Sequence, residues 1–186
     1  MADTETVLPL ALNDLAAGTP GLTPECAASL AQAASVCLEE EGHAPGAVID
    51  IDGSFQRRFN LQWDEATTQM RRCWADSDEA TEFGACGVAT LLIHALTDLT
   101  IVQRARRGNG FDYWLGRRDD DPDLLFQGRT RLEVSGVRKG GDSIVNARER
   151  EKLRQVERFA NPSVAGTPAI VIVVEFGTPR SRVTTK

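Results

Sequence analysis

Gly110-Phe111-Asp112-Tyr113-Trp114-Leu115-Gly116 and Arg129-Thr130-Arg131-Leu132-Glu133-Val134-Ser135-Gly136 are the two stretches whose reading decides the fold. Each is short, rich in aromatic and branched residues and bounded by Gly at its outer end, which is the pattern of a β-strand. Each carries one acid inside an otherwise strand-like run. Side chains alternate across a strand, so Arg131, Glu133 and Ser135 share one face, while Leu132 and Val134 take the other. If the two strands pair, Asp112 and Glu133 point into one place. Two carboxylates converging at a sheet edge make a hard-oxygen site suited to Mg²⁺. The plainer alternative is a pair of unrelated surface acids on solvated faces, where Asp and Glu usually sit.

The segments on either side extend the pattern. Upstream, Asp76-Ser77-Asp78-Glu79 caps a helix running to about Leu96, with its acids where the helix dipole favours them. Glu82 falls on an apolar part of that helix, where a buried acid needs a partner. Thr100–Arg104 reads as a strand and Arg106–Gly110 as a basic turn. Downstream, Arg138-Lys139-Gly140-Gly141 is a second basic turn. Asp142 or Ser143 then caps a helix to about Phe159, stopped by Asn161-Pro162. Ala169–Phe176 is apolar on both faces, as a central strand is, and the tail from Thr178 reads as basic and loose.

The helix 143–159 is the most informative of these. Ile144, Val145, Leu153, Val156, Phe159 and Ala160 fill one half of its wheel. Arg148, Lys152 and Gln155 fall inside that apolar arc, at about 40°, 80° and 20° from Ile144 by the helical period. Long polar stems of this kind either snorkel to water or serve a site on the sheet below. The acidic run Asp119-Asp120-Asp121 reads as a solvated loop.

Ahead of Asp76 the chain predicts a helix from Thr23-Pro24-Glu25 to Glu41, a hairpin of Ala47–Asp52 with Arg58–Trp63, and a short helix from Asp64-Glu65 to about Trp74. We read residues 1–75 as an N-terminal accessory lobe of helix and hairpin, and 76–186 as the core.

The composition is that of a soluble globular protein: 186 residues, 41% hydrophobic and 26% charged. The acidic N-terminus lacks the basic start of a signal peptide, and no apolar run is long enough to span a membrane. Cys26, Cys37, Cys73 and Cys86 have no metal or redox spacing. They read as small buried hydrophobes in a reducing cytoplasm. The net charge of −6 hides an asymmetry: residues 1–100 hold 4 Lys and Arg against 16 Asp and Glu, residues 101–186 hold 17 against 11. Either the basic part is a phosphate-binding surface, or its cations pair with the N-terminal acids inside one fold.

From Asp76 the order is helix, strand, strand, strand, helix, strand, with an acid in the first helix, Asp112 on the second strand and Glu133 on the third. This resembles the restriction-endonuclease-like PD-(D/E)xK superfamily over about residues 76–186. The resemblance implies an α/β core of order αβββαβ, a mixed central sheet flanked by helices. It also implies a Mg²⁺- or Mn²⁺-dependent nuclease acting on DNA rather than RNA, with a subunit of a defence or repair assembly as one setting. Asp112 and Glu133 take the metal positions, with Glu82, or less directly Glu79, as the helix acid. Ser135 stands where the family has Lys. The resemblance implies that Lys152 supplies that charge from the helix, with Gln155 beside it. Arg107, Arg131, Arg138, Lys139 and Arg148 are the candidate nucleic-acid contacts. The alternative is an inactive nuclease-like module that binds nucleic acid or a protein partner, for which the acidic N-terminal lobe is a candidate contact surface.

Overall fold

The computed structural model describes residues 7–118, 129–158 and 166–186. It is a mixed α/β fold: one eight-stranded sheet and five helices among the described residues. The strands are β1 (Leu8–Ala11), β2 (Ala47–Gly53), β3 (Arg57–Gln62), β4 (Leu99–Arg104), β5 (Tyr113–Arg117), β6 (Thr130–Val137), β7 (Ala169–Glu175) and β8 (Arg180–Thr185). Their spatial order is β1-β3-β2-β8-β7-β6-β5-β4. The helices are a 3-10 helix (Leu12–Ala17), α1 (Pro24–Glu40), α2 (Thr68–Cys73), α3 (Ser77–Leu96) and α4 (Asp142–Arg158). The acidic run Asp119–Asp121, the helix end at Phe159 and Ala160, and the Asn161-Pro162 stop lie outside the described residues.

From α3 onward the order is helix, three antiparallel strands β4, β5 and β6, the helix α4, then β7 parallel to β6. Beyond that, the structure corrects two expectations. The tail is not loose: β8 inserts between β7, to which it is antiparallel, and β2, to which it is parallel. Ser181 and Val183 alternate inward, and both are buried. Arg182 on the opposite face, under α4, pairs with Asp52 at 2.7 Å and donates to Asn146 Oδ1 at 2.6 Å. The second correction follows from the first. Because β8 joins β2, residues 7–75 extend the same sheet rather than forming a separate lobe. They share one core cluster with the rest of the chain, from Leu10 and Leu30 through Leu92 to Val183. The short helix also starts later than expected, at Thr68. The chain from Trp63 to Ala66 is held instead by Glu39, whose Oε1 accepts from Trp63 Nε1 at 3.1 Å and Ala66 N at 2.8 Å.

Local chemistry explains the helices. Thr23 Oγ1 accepts from Cys26 N at 3.3 Å ahead of the N-terminal Pro of α1. Asp76 Oδ1 accepts from Asp78 N and Glu79 N at 3.0 and 2.9 Å at the start of α3. α1 and α3 meet through small residues, and a Cβ on Gly84 would lie 3.0 Å from Ala34 Cα. α3 in turn lies flat on β6 at Gly136, where a Cβ would sit 2.4 Å from the Thr81 carbonyl oxygen. No rotamer relieves a clash between a Cβ and backbone. Gly136→Ala is therefore expected to cost about 2–3 kcal/mol, read as a melting point lower by about 4–12 °C. A variant melting within a degree of the parent would show that α3 can lift off the strand.

His94, half-buried on α3, meets Thr100 Oγ1 at 3.0 Å. Cys37 is buried, but Cys73 is exposed, so not every cysteine is a core residue. No described helix is long and apolar enough to cross a membrane.

Candidate active site

β5 and β6 pair in the register Tyr113↔Leu132, Trp114↔Arg131 and Leu115↔Thr130. One step before β5, Asp112 N still donates to Leu132 O at 2.9 Å. The chain then leaves the sheet at Gly110, whose φ of 75° suits a residue without a Cβ. β6 runs on past this point. Its Val134 N–H, next in line for a strand partner, donates instead to Asp112 Oδ2 at 2.8 Å. The carboxylate ends the ladder, and the ladder in turn holds it rigidly at the place where the strands part.

Glu133 lies beneath α4, 2% exposed. Lys152 Nζ meets its Oε1 at 2.6 Å. Gln155 Nε2 donates to the same oxygen at 3.1 Å and to Gly110 O at 3.2 Å, while its Oε1 accepts from Lys152 Nζ at 3.3 Å. Lys152 and Gln155, two of the three polar residues on the inward arc of α4, therefore reach the acid on β6, while Arg148 pairs with Glu151 at 3.4 Å. Asp112, Glu133, Lys152 and Gln155 are brought together in one place.

Burial pushes the Glu133 carboxyl up to about 7. The Asp112 charge pushes it further the same way, and Lys152 pulls it back. Asp112 is raised as well, chiefly by burial, against the pull of the Val134 N–H and Lys152. Glu133 holds its proton to higher pH when folded than its ordinary 4.5, so the folded state binds more protons between about 4.5 and 7. Its contribution is fully present below about 4.5 and is lost as pH rises to about 7. The melting point of Glu133→Gln relative to the parent, without divalent ions, should rise across that window by an amount worth up to about 3 kcal/mol. A pH-independent difference would mean that Lys152 keeps Glu133 ionised throughout.

A cleft of about 520 Å³ opens beside the acids, between α3 and α4, with the free end of β6 as its floor. Asp112, Ser135, Arg148 and Lys152 line it. Glu82 lines it too, but is exposed rather than set on an apolar face. The small residues of α3 take the buried side, and Glu82 faces the opening. Among the described residues no three His, Cys, Asp or Glu side chains gather as a metal cage, so Glu82 does not complete one with Asp112 and Glu133. Those two nevertheless fit a hard divalent cation. Glu133 Oε2 is buried without a hydrogen-bond partner, which leaves a carboxylate oxygen open beside Asp112, the kind of donor a hard cation takes.

The expected nucleic-acid contacts divide. Arg131 is 7% exposed and spends its guanidinium on Val156 O and Thr167 O, both at 2.9 Å. It fastens the last turns of α4 and the segment entering β7, so it neither grips a phosphate nor pairs with Glu133. Arg138 is ion-paired with Glu40 and, at 3.4 Å, with Glu41, and Lys139 lies 3.8 Å from Glu41. With Arg182 on Asp52, these contacts show that part of the basic charge neutralises the acidic N-terminal segment within one fold. Arg148 lines the cleft, while Arg107 is exposed on the turn before Asp112 and does not.

Sequence reasoning missed Arg104, Asp78, Cys86 and Tyr113, all of which line the cleft. Burial pushes the Cys86 thiol up to about 12, with the Asp112 charge behind it, which keeps the thiol protonated. The position of Arg104 was readable in principle, since pairing of β4 with β5 sets it opposite Tyr113, next to Asp112.

Comparison of the chain with protein-family models, with curated proteins and with solved structures gives no match. What fold and site define is a mixed α/β protein with a carboxylate pair, a lysine and a glutamine at the open end of two parting strands.

Proposed function

We propose that the chain is a divalent-metal-dependent nuclease with a restriction-endonuclease-like core, hydrolysing phosphodiester bonds in DNA. One observation carries this reading: Lys152, supplied by the following helix, is within 2.6 Å of Glu133, where Ser135 leaves no cation on the strand itself. The order αβββαβ, with Asp112 and Glu133 facing each other across the second and third strands of that core, supports it.

Each residue has a definite task on this reading. Asp112, anchored by the Val134 N–H, and Glu133, through its free Oε2, would hold the ion. A Mg²⁺ or Mn²⁺ there supplies charge neutralisation at the phosphate and a more acidic water. Lys152 orients the attacking water and stabilises negative charge developing on the phosphate. Gln155 ties Glu133 to Gly110 and so fixes the acid relative to the turn that carries Asp112.

The second reading, an inactive nuclease-like module that binds nucleic acid or a protein partner, is favoured by Ser135, which leaves the strand without the cation the resemblance calls for. Incubation with supercoiled plasmid and with single-stranded DNA, with Mg²⁺ or Mn²⁺ and then with EDTA, separates the two. The nuclease reading expects cleavage that EDTA abolishes. DNA left intact under every metal condition favours the module.

A further inference from the structure

Four cations line the cleft: Arg104, Arg138, Arg148 and Lys152. Three are already engaged. Lys152 is on Glu133, Arg138 is on Glu40 and Glu41, and Arg148 Nη1 lies 3.4 Å from Glu151 Oε2. Among the described residues Arg104 alone of the four has no ion-pair partner. An exposed arginine without a partner is ordinary on a protein surface. The setting of this one is not. It stands on a strand held from both sides, by β5 and by the Thr19–Leu22 turn, whose Gly21 N donates to Ile101 O at 2.9 Å. It is opposite Tyr113, next in sequence to Asp112.

The chemistry of the cleft needs such a group. Asp78, Glu82 and Asp112 line it as well, and Glu133 lies behind them. A polyanionic strand approaching these acids is repelled unless a cation is available that is not already spent on a carboxylate. Recruiting Lys152 or Arg138 would cost an existing, partly buried pair. Arg104 can be recruited without that loss, and its planar guanidinium suits two phosphate oxygens at once.

We propose that Arg104 is the positioning residue that grips the phosphate next to the scissile one and draws a nucleic-acid strand into the cleft. This rests on the nuclease reading above. Arg104 does not touch the reacting atoms, so it acts on substrate binding more than on the chemical step.

The test measures binding of a 5′-fluorescein-labelled single-stranded oligonucleotide by anisotropy from 50 to 300 mM NaCl in EDTA, and cleavage of the same oligonucleotide with Mn²⁺. Arg104→Ala should weaken binding about 5- to 10-fold and reduce the slope of log K against log salt by about 0.7, the share of one phosphate contact on a single strand. KM should rise by a similar factor, with kcat within about twofold. Arg104→Lys keeps the charge and should recover the slope and part of the affinity. Arg57→Ala, on β3 at the other side of the sheet, should match the parent in every measure. An unchanged slope and affinity in Arg104→Ala, with its melting point unchanged, overturns the assignment of Arg104 and leaves the nuclease reading standing. A loss of affinity that comes with a lowered melting point and an unchanged salt slope also overturns it, as a structural effect. A parent protein that neither binds nor cleaves the oligonucleotide overturns the assignment of Arg104, and overturns the nuclease reading as well when the plasmid too is left intact.

Discussion

Asp112→Asn is expected to abolish metal-dependent cleavage, a loss of about a thousandfold or more, since the charge that holds the ion is worth several kcal/mol in the transition state. The fold should survive. The amide oxygen of Asn can still accept from Val134 N, the hydrogen bond that Asp112 Oδ2 makes at 2.8 Å, so the end of the β5–β6 ladder keeps its partner. The substitution also removes the Asp112 charge that pushes Glu133 up. Glu133 should then titrate lower, and the variant should melt at the same temperature as the parent or slightly above it near pH 8. Cleavage assays paired with thermal melts at that pH check both halves. A variant that melts several degrees lower while still cutting DNA would make Asp112 a structural residue and the assignment of the site wrong.

Lys152→Met should lower cleavage by about a hundredfold or more while leaving an ion-binding pair in place. Met keeps the apolar stem and removes only the ammonium, which separates packing from chemistry. The Lys152 side chain is 19% exposed and Glu133 is 2% exposed, so the pair is largely shielded from water. Without it, Glu133 loses the charge and hydrogen bond of Lys152 that pull its carboxyl down and moves further above its ordinary range, so the variant should bind Mn²⁺ more weakly near neutral pH and approach the parent at higher pH. Ser135→Ala, at the position that carries no cation, should stay within about threefold of the parent, as a substitution outside the reacting groups does. Full cleavage by Lys152→Met would end the idea of a lysine supplied by the helix, and the inactive-module reading would take its place.

Much of this arrangement was legible in the chain. The Asp76 cap, the Gly-bounded strands around Asp112 and Glu133, and the two-sided apolar run Ala169–Val174 carry local signals that tertiary packing did not override. The inward placement of Lys152 and Gln155 was legible because helical periodicity assigns a face to every residue. Placing Glu133 on the same face of its strand as Arg131 and Ser135 needed only the two-residue alternation.

Other features depended on contacts between residues distant in sequence. Arg180–Thr185 looks like a basic tail, because polar residues alternating with Ser181 and Val183 show no apolar run. It becomes a strand only when β7 and β2 offer it two edges. That insertion is also what merges the N-terminal hairpin with the core, and no local feature near residue 75 encodes it. The charge asymmetry was visible as numbers, but which cations were free was not: Arg138 and Arg182 are paired with Glu40, Glu41 and Asp52, far away in the chain. Arg131 alternates onto the same strand face as Glu133, yet α4 and the start of β7 present it with two carbonyls and remove it from any ligand. Glu82 shares its helix turn with apolar residues and still faces the opening, because which side of α3 is covered is decided by α1 and β6. Sequence determined which groups exist and which face of its own element each one takes. Only the tertiary structure decided which charges are already neutralised, and at a site built from charges that sets what remains to act on a substrate.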